Sequence, residues 1–416
     1  MELSSGHKRT ETGIIPEDWR ILSIMELSTN IIDYRGRTPK KLGMEWGNGD
    51  IPALSARNVK KGYIDLEEET YYGSESLYSR WMVNGHTEKD DVVVTTEAPL
   101  GNVALIPDNR KYILSQRTVL LHPNPELAAS RYLLQALASH SFQKLLSDNS
   151  SGSTATGIKR KRFEQLKLAL PGIVEQRAIA EALGDADTLI ESLEQLIAKK
   201  RKIKRGAMQQ LLTGTKRLPG CTGNWERKGL YELGESLIGL TYKPSDVKSD
   251  GLLVLRASNI LQESLRFEDN VFVDMDVPEK IILRKGDILV CVRNGSRDLI
   301  GKCALIDESA QGMTFGAFMA VFRTPFYNFV YHQFQSDLIK RQINEHLGAT
   351  INQITNKSLN SFQIPFPSDE KERAAIAQVL NDMDLEIGAL EAKLGKVRHL
   401  KQAMMQELLT GRTRLV

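Results

Sequence analysis

The side chains best suited to chemistry in this sequence are basic groups that follow a loop rich in glycine, serine and threonine. The stretch GSTATGIKRKRF places Lys159, Arg160, Lys161 and Arg162 directly after such a loop. A basic cluster of this kind fits the phosphates of a nucleic acid backbone. A solvated charged surface that binds nothing is the alternative interpretation of the same four residues.

Two further loops combine arginine with small polar residues. They are YRGRTPKK, which contains Arg35 and Arg37, and RNGSR, which contains Arg293, Asn294, Ser296 and Arg297. Arginine and asparagine are the side chains that read guanine and adenine edges in the major groove. For any one of these residues an ordinary surface role explains the sequence equally well. RNGSR has no counterpart in the first half of the chain.

Motifs for catalysis are absent from the sequence. There is no Asn/Asp-Pro-Pro-Tyr/Phe motif for amino-methyl transfer and no His-x-x-x-His pair. The stretch Gly295–Cys303 is not a phosphate-binding loop, because five residues separate its glycines and cysteine stands where serine or threonine is required. Asp369-Glu370-Lys371 resembles a nuclease triplet, but acidic residues are favoured at helix N-termini. The cysteines Cys221, Cys291 and Cys303 lack metal-ligand spacing.

The loops belong to a chain that repeats itself. Ala178–Leu218 aligns without a gap on Ala375–Leu415 at a shift of 197 residues, and 20 of the 41 positions are identical. The identities include polar pairs such as Asp187/Asp384, which two unrelated amphipathic helices would not share. Weaker repeats lie upstream in the same order, among them ALSARNV/VLRASNI, DVVVTT/DILVCV and GSTATGI/GATINQI. They supply further candidate DNA-binding residues within or beside them: Arg57, Asn58, Thr154, Ser258, Asn259, Thr350, Asn352 and Lys357.

Each strong repeat predicts a long helix. Apolar residues recur at alternating steps of four and three, which is the pattern of a coiled-coil seam. Each helix should span about 35–40 residues, or about 55–60 Å, and should end at the glycine of an LLTG sequence. Packing the two copies against each other buries both stripes. The predicted seam residues are Ile179, Leu183, Ile190, Leu193, Ile197, Leu211, Ile376, Leu380, Ile387, Leu390, Leu394 and Leu408.

Length and composition indicate a multi-domain protein. The 416 residues suffice for two or more domains with their own cores. No apolar run approaches the ~20 residues that span a bilayer, and the first residues lack the apolar core of a signal peptide. We therefore expect a cytoplasmic protein without a membrane partner. The net charge of +3 argues little for nucleic acid by itself, but clustering of basic residues matters more than their sum.

The order of globular unit, helix, globular unit and helix resembles the specificity subunits of type I restriction–modification systems. The residues that carry the resemblance are LPGIVEQRAIAEALGDAD (Leu170–Asp187), its echo IPFPSDEKERAAIAQVLNDMD (Ile364–Asp384) and the two LLTG helix ends. The Pro-x-x-x-Glu-Gln entry to the helix is present in the first copy, whereas the second has Glu372-Arg373. The resemblance covers nearly the whole chain.

The resemblance implies an α+β fold in which two pseudo-repeated mixed α/β target-recognition domains are separated by two long helices packed as an antiparallel coiled coil. The corresponding boundaries are 1–168 for target-recognition domain 1, 169–214 for the first helical region, 215–366 for target-recognition domain 2 and 367–416 for the second helical region.

The resemblance also implies a non-catalytic subunit that reads an asymmetric, bipartite target in double-stranded DNA, one half with each globular unit. Its expected partners are two modification (methyltransferase) subunits and restriction subunits. S-adenosylmethionine, ATP and Mg would belong to those partners, and this chain would hold no cofactor, metal or catalytic residue. Two other classes stay open: a DNA-modifying enzyme with its own active site, and a coiled-coil scaffold that acts without DNA.

Overall fold

The computed structural model of the chain describes residues 6–11, 13–152, 156–347 and 352–415. The chain forms two compact units. Unit 1 consists of Met1–Glu194 together with Ala392–Val416, and unit 2 consists of Gln195–Glu391. Each unit therefore includes part of both long helices, whereas the boundaries drawn from the sequence gave the helices regions of their own.

Unit 1 begins with short strands and ends its globular part at the first long helix. Its strands are β1 (His7–Thr10), β2 (Gly13–Pro16), β3 (Arg20–Ser23), β4 (Ser28–Asp33), β5 (Ile51–Leu54), β6 (Tyr72–Gly73), β7 (Val92–Thr96), β8 (Leu100–Leu105), β9 (Ile113–Leu114), β10 (Thr118–Pro123) and β11 (Lys167–Leu170). Its helices are α1 (Glu75–Trp81), α2 (Ser130–Ala138), α3 (His140–Asp148), α4 (Arg160–Glu164) and the first part of α5 (Ile173–Leu211).

A four-stranded antiparallel sheet in the order β4-β10-β7-β8 forms the centre of unit 1. Its strand β7 is buried along its whole length, because both faces of the sheet are covered. Val92 and Val94 pack with residues of α2 and α3. Val93 points to the opposite face and packs with residues of the small β6-β5-β9 sheet. The β-branched run DVVVTT therefore forms a central strand, as its composition predicts.

Unit 2 continues from the second part of α5. Its strands are β12 (Trp225–Gly229), β13 (Glu235–Ile238), β14 (Val247–Lys248), β15 (Leu252–Leu255), β16 (Ile260–Leu261), β17 (Ser264–Leu265), β18 (Phe272–Val273), β19 (Ile288–Cys291), β20 (Cys303–Leu305), β21 (Thr314–Phe315), β22 (Met319–Arg323) and β23 (Gln363–Pro367). Its helices are α6 (Leu230–Leu233), α7 (Tyr327–Gln335), α8 (Asp337–His346), α9 (Asn356–Ser361) and the first part of α10 (Glu370–Leu408).

The central sheet of unit 2 repeats that of unit 1 strand for strand, in the order β13-β22-β19-β20. Ile288 and Val290 pack with residues of α7 and α8, and Leu289 and Cys291 pack with residues of β15 and β21. The parallel pairing of β5 with β9 recurs between β15 and β21. The weak upstream repeats in the sequence are therefore equivalent strands of two similarly folded units.

In each unit a part of α5 packs antiparallel to a part of α10. In unit 1, Asp187 pairs with Lys401 while the later residue Glu194 pairs with the earlier residue Arg398. In unit 2 the same reversal relates Arg201–Glu391 to Lys204–Asp384. The predicted fold class, two similar α+β units with long helices packed antiparallel, is confirmed.

Burial along the predicted seam is nearly complete. Ten of the twelve seam residues are buried; Ile190 and Leu390 are half-buried. In unit 1, Ile179 and Leu183 share a core cluster with Leu408. In unit 2 the corresponding cluster joins Leu211 with Ile376 and Leu380. The heptad pattern therefore identifies the packed stripe of both helices.

Three ion pairs of unit 1 recur in unit 2 with their partners exchanged between the repeats. They are Lys401–Asp187, Arg398–Glu194 and Arg414–Glu175 in unit 1, and Lys204–Asp384, Arg201–Glu391 and Arg217–Glu372 in unit 2. Each residue of one set lies 197 positions from its equivalent in the other. In both units each charged residue of one repeat meets an oppositely charged residue of the other repeat, which explains why these polar residues are repeated in register.

The two LLTG sequences end the helices by the same means. Gly214 and Gly411 have φ angles of 72° and 74°, in the left-handed region that favours glycine. A Cβ on Gly214 would lie 3.0 Å from the Trp225 ring, and one on Gly411 would lie 2.5 Å from Pro16. The glycines are therefore required both for the turn and for the approach of a neighbouring side chain.

Candidate nucleic-acid interface

One edge of each central sheet gathers most of the loops that the sequence singles out. In unit 1 this edge is formed by the ends of β4 and β7 and the starts of β10 and β8, because these strands are antiparallel. We call the loop residues there, Arg35, Glu97, Arg117, Gly157 and Lys159, the strand-end surface of unit 1. The equivalent strand-end surface of unit 2 consists of Ile238, Arg293, Phe318, Asn352 and Gln353.

The loop before Lys159 is attached to this edge by backbone hydrogen bonds. The amide of Ile158 donates to the carbonyl of Thr96 at 3.0 Å, and Gly157 forms a β-bridge with Glu97. Arg35 donates through Nη1 to the Ile158 carbonyl at 2.8 Å and through Nε to Asp33 at 2.7 Å. Arg35 therefore fixes the loop, and this role accounts for its half-buried position.

Glu97 and Arg117 face each other at the centre of the strand-end surface of unit 1. Their charged groups are 3.8 Å apart, and the side chains are 37% and 51% exposed. A Cβ on Gly157 would lie 3.2 Å from Glu97 Cγ, so the loop packs directly against the stem of this glutamate. The carboxylate and the guanidinium are therefore both held at the surface with capacity for another hydrogen-bonding partner.

In unit 2 the same two positions carry different chemistry. The amides of Val292 and Arg293 both donate to the Phe318 carbonyl at 3.1 Å, just as the amide of Thr96 donates to the Arg117 carbonyl at 2.8 Å. The guanidinium carbon of Arg293 lies 4.9 Å from the centroid of the Phe318 ring, a cation–π contact. Phe318 is nevertheless 56% exposed.

Asparagines complete this surface. Asn294 donates its amide to the Asn352 carbonyl at 3.4 Å, and Asn352 Nδ2 donates to the Gly295 carbonyl at 3.2 Å. Arg293 also forms a β-bridge with Gln353. The structure therefore brings RNGSR together with the residues that follow GAT in the second repeat, as the corresponding loops of unit 1 meet at the β-bridge between Glu97 and Gly157.

The connection between the two central strands differs in length between the units. Residues 97–99 connect β7 to β8, whereas residues 292–302 connect β19 to β20. The longer connection holds Ser296 and Arg297, which are exposed, and Arg297 Nη2 donates to the Asn344 carbonyl at 3.2 Å. RNGSR is therefore an insertion in unit 2, in agreement with the sequence comparison of the two halves.

The run of four basic residues divides into two pairs. Arg160 donates to Glu164 at 2.6 Å and to the Ile31 carbonyl at 3.0 Å, and Arg162 donates to Asn149 at 2.7 Å. Lys159, the residue before α4, and Lys161 are exposed. The two lysines therefore remain the better candidates for phosphate contacts within this run.

Two predicted contact residues are buried. Asn58 and Asn259 are 0% and 1% exposed. Asn58 accepts from the Ser55 hydroxyl at 2.7 Å and donates to Thr70 at 2.8 Å, while Asn259 accepts from the Arg256 amide at 2.9 Å. Asparagine side chains commonly bond nearby backbone in turns. These two hold their loops together, and contact of either with DNA stays a prediction.

The remaining candidates are spread over other parts of the units. Arg37 donates to the Trp81 carbonyl and stacks on Tyr34, and Arg57 pairs with Glu69. Ser258 and Lys357 are exposed. Thr154 and Thr350 lie outside the described residues. Contact with DNA by any of these stays a prediction.

Six members of the two strand-end surfaces are not among the residues predicted from the sequence: Glu97, Arg117 and Gly157 in unit 1, and Ile238, Phe318 and Gln353 in unit 2. An acidic or aromatic residue next to a strand has no motif that marks it as a nucleic-acid contact. Position along the chain could have indicated two of them, because Arg117 and Phe318 directly precede the equivalent strands β10 and β22.

The part of the chain that the structure describes contains no candidate metal site and no candidate membrane-spanning helix. Within those residues, no group of three or more histidine, cysteine, aspartate or glutamate side chains is placed to hold a metal ion. No helix among them is both long enough and apolar enough to cross a bilayer.

Comparison with known families gives a match over most of the chain. The model of the type I restriction modification DNA specificity domain matches twice, at residues 16–200 and 223–397. The two matches correspond to the two halves of the internal repeat.

Similar proteins and structures agree with this match. The MjaVIII specificity subunit of Methanocaldococcus jannaschii is 24% identical over 96% of this chain and 94% of its own length. The EcoKI specificity subunit of Escherichia coli is 23% identical over 71% of this chain and 66% of its own. The crystal structure of a type I S subunit from M. genitalium superposes with a TM-score of 0.61 at 14% identity, covering 98% of both chains. A chain from a type I R-M assembly study gives 0.56 at 19% identity, covering 96% of this chain and 99% of its own.

Proposed function

This chain belongs to the type I restriction modification DNA specificity family, and from that premise we propose that it is the DNA-recognition subunit of a type I restriction–modification complex. In this role it reads double-stranded DNA and directs partner subunits to the site. The relatives compared above are themselves named specificity subunits of type I restriction enzymes.

The observation that carries the proposal is the pair of strand-end surfaces. Both units present loops at the equivalent edge of the same four-stranded sheet, yet Glu97 and Arg117 in one are replaced by Arg293 and Phe318 in the other. Two similar units with different polar surfaces suit a target of two half-sites with different sequences. The target is therefore asymmetric and bipartite, with each unit reading one half.

The chain acts without catalytic residues of its own. Methyl transfer, DNA cleavage and ATP hydrolysis belong to modification and restriction subunits, which hold S-adenosylmethionine, ATP and Mg. Two modification subunits bind, one for each repeat, because the repeated helix segments give each unit an equivalent surface. Since the DNA and these partners are cytoplasmic, the chain acts in the cytoplasm.

Sequencing of methylated bases in cells with and without this chain tests the proposal. We expect methylated adenine in one bipartite sequence that disappears when the chain is deleted and returns when it is restored. The purified chain alone should show no methyltransferase, nuclease or ATPase activity. Methyl transfer by the lone chain would favour a DNA-modifying enzyme, and a complex whose activity does not depend on DNA sequence would favour a scaffold.

A further inference from the structure

The two facing positions at the centre of each strand-end surface differ between the units in a way that has a chemical meaning. In the sheet register, Thr118 pairs with Thr95 and Met319 pairs with Cys291. Glu97 and Arg293 stand two residues after Thr95 and Cys291. Arg117 and Phe318 stand one residue before Thr118 and Met319. The positions are therefore equivalent although the sequences around them are not alike.

We propose that these facing positions are the base-reading pair of each unit, with Glu97 and Arg117 taking a G·C base pair in one half-site and Arg293 and Phe318 taking a guanine beside a thymine in the other. The inference rests on the proposed function and makes it specific, because it assigns a chemistry to one position in each half-site.

The chemistry of Glu97 and Arg117 matches the two edges of one base pair. In the major groove guanine offers acceptors at O6 and N7, and cytosine offers a donor at N4. Guanine O6 and cytosine N4 are hydrogen-bonded to each other and lie about 3 Å apart. A guanidinium and a carboxylate held 3.8 Å apart at the surface can meet them together, the guanidinium donating to guanine and the carboxylate accepting from cytosine.

Local contacts hold this pair in place for the task. The Thr96 amide fixes the backbone of Arg117, and Gly157 packs against the stem of Glu97. Neither charged group is buried, so both can turn toward DNA without leaving an unpaired charge in the core. In the absence of DNA, Glu97 and Arg117 partly neutralise each other's charge.

In unit 2 the guanidinium of Arg293 lies over the Phe318 ring. Arginine is the most frequent partner of guanine O6 and N7, and phenylalanine contacts the thymine methyl group. The stacked ring holds the planar guanidinium in a fixed direction, and its exposed part is free to meet a methyl group on the neighbouring base. No carboxylate of this pair is present to accept from cytosine, so the preference is for guanine and its thymine neighbour.

The test uses the full chain in complex with its modification partners, and it measures the preferred sequence by selection from randomised DNA and by mapping methylated bases in cells. Glu97→Gln should keep binding but lose the preference for G·C over A·T at one position by about fivefold or more, because glutamine also accepts from or donates to adenine. Phe318→Ala should relax the thymine position in the other half-site, and Arg293→Ala should relax the adjacent guanine position by a similar factor.

Arg110→Ala and Lys285→Ala are the matched controls. Arg110 follows β8 and Lys285 precedes β19, so both lie at the opposite edge of the two central sheets. Arg110 pairs with Asp108, and Lys285 pairs with Glu308. Both control variants should leave the sequence preference unchanged. A loss that is uniform over all sequences in the Glu97, Arg293 and Phe318 variants would overturn the inference and make these residues backbone contacts. Relaxation in the wrong half-site would also overturn it. Failure of the parent complex to show any sequence preference would instead reject the proposed function.

Discussion

Lys401 donates to Asp187 across the helix pair of unit 1 at 2.5 Å, and Lys204 donates to Asp384 in unit 2 at the same distance. The two pairs are equivalent, but their surroundings differ. Lys204 is buried and also contacts Gln335 at 3.0 Å and Glu263 at 3.5 Å. Lys401 is more exposed. We therefore expect the two equivalent ion pairs to contribute unequally to the stability of their units.

Asp384→Ala should destabilise the protein more than Asp187→Ala. After this substitution the buried ammonium of Lys204 keeps only the amide of Gln335 and the longer ion pair with Glu263 among its contacts named above. We expect a loss of about 2 kcal/mol in the free energy of unfolding. Asp187→Ala removes the pair with the more exposed Lys401 and the hydrogen bond from Gln135 at 2.8 Å, and its loss should be about 1 kcal/mol. Urea unfolding measures both. Equal losses would show that burial of Lys204 does not decide the effect.

Arg414→Ala should lower the free energy of unfolding more than Arg217→Ala does. Each arginine binds a buried glutamate through two nitrogen atoms, Arg414 with Glu175 and Arg217 with Glu372. Removing it leaves a buried carboxylate, which costs about 3 kcal/mol or more. Glu372 keeps a bond from Trp225 Nε1 at 3.2 Å.

The equivalent nitrogen of Trp19 in unit 1 has no hydrogen-bond partner among the described residues, so it gives Glu175 no such support. Thermal unfolding of the two variants measures the difference. Replacement of each glutamate by glutamine in the arginine variant should restore part of the stability, because the buried charge is removed. A larger drop for Arg217→Ala than for Arg414→Ala would contradict this account.

Lys159→Ala and Lys161→Ala should weaken DNA binding by a similar factor for every sequence. Lys159 belongs to the strand-end surface of unit 1, Lys161 follows it by two residues, and both side chains are exposed. If each contacts a phosphate, each substitution should reduce the slope of log K against log salt by about one. Titration of DNA binding at several salt concentrations measures the slope. Lys111→Ala, at the opposite edge of the sheet and paired with Glu75, should leave it unchanged. A change in base preference would show that the lysines read sequence.

His332→Gln should make the protein less sensitive to acid. Burial, followed by the charge of Lys204, lowers the pKa of His332 from 6.5 to about 4, while Asn381, Gln335 and Glu263 favour the protonated form. The unfolded chain therefore binds a proton at this position between pH 6.5 and 4 that the folded chain does not. Stability present above pH 6.5 is lost as the pH falls toward 4, by up to about 3 kcal/mol.

Glutamine already stands at the equivalent position of α2, as Gln135. Urea unfolding of the parent and the His332→Gln variant between pH 7 and 5 measures the change. His122→Gln is a useful comparison because the hydrogen bond to Asp91 raises the pKa of His122. That histidine contributes stability below pH 6.5, which is lost as the pH rises through its raised pKa, so its removal should have the opposite sign. Parallel pH profiles of parent and His332→Gln would rule out the histidine as a cause.

The parts of the fold that repeat a local pattern could be predicted from the sequence. The heptad stripe follows from apolar spacing alone, which predicts that residues such as Leu183 and Leu380 are packed, and both are buried. The glycines that end both helices were identified for the same reason, since a left-handed residue after a helix is a local requirement.

The candidate site depends on the register of the paired strands, which could not be predicted from the sequence. Arg117 and Glu97 meet only because β10 pairs with β7 at one alignment, and register is fixed by burial of a whole sheet face. The contacts of Asn58 and Arg35 depend on the fold for a related reason. Their side chains are as suited to holding a turn or a loop as to touching a base, and only the structure shows that they contact Thr70 and Ile158.

The division of both long helices between the units has a consequence for synthesis on the ribosome. All residues of unit 2 have been made once Glu391 is added, but unit 1 still lacks Ala392–Val416. The unit that starts first therefore finishes last, because all of Gln195–Glu391 is made before Ala392, a delay of about 10–40 s at 5–20 residues per second. During that time Ile179 and Leu183 have no Leu408 to cover them. The nascent chain thus carries an uncovered apolar stripe until Leu408 has been made, and a chaperone or a partner subunit would find the largest exposed apolar surface during this interval.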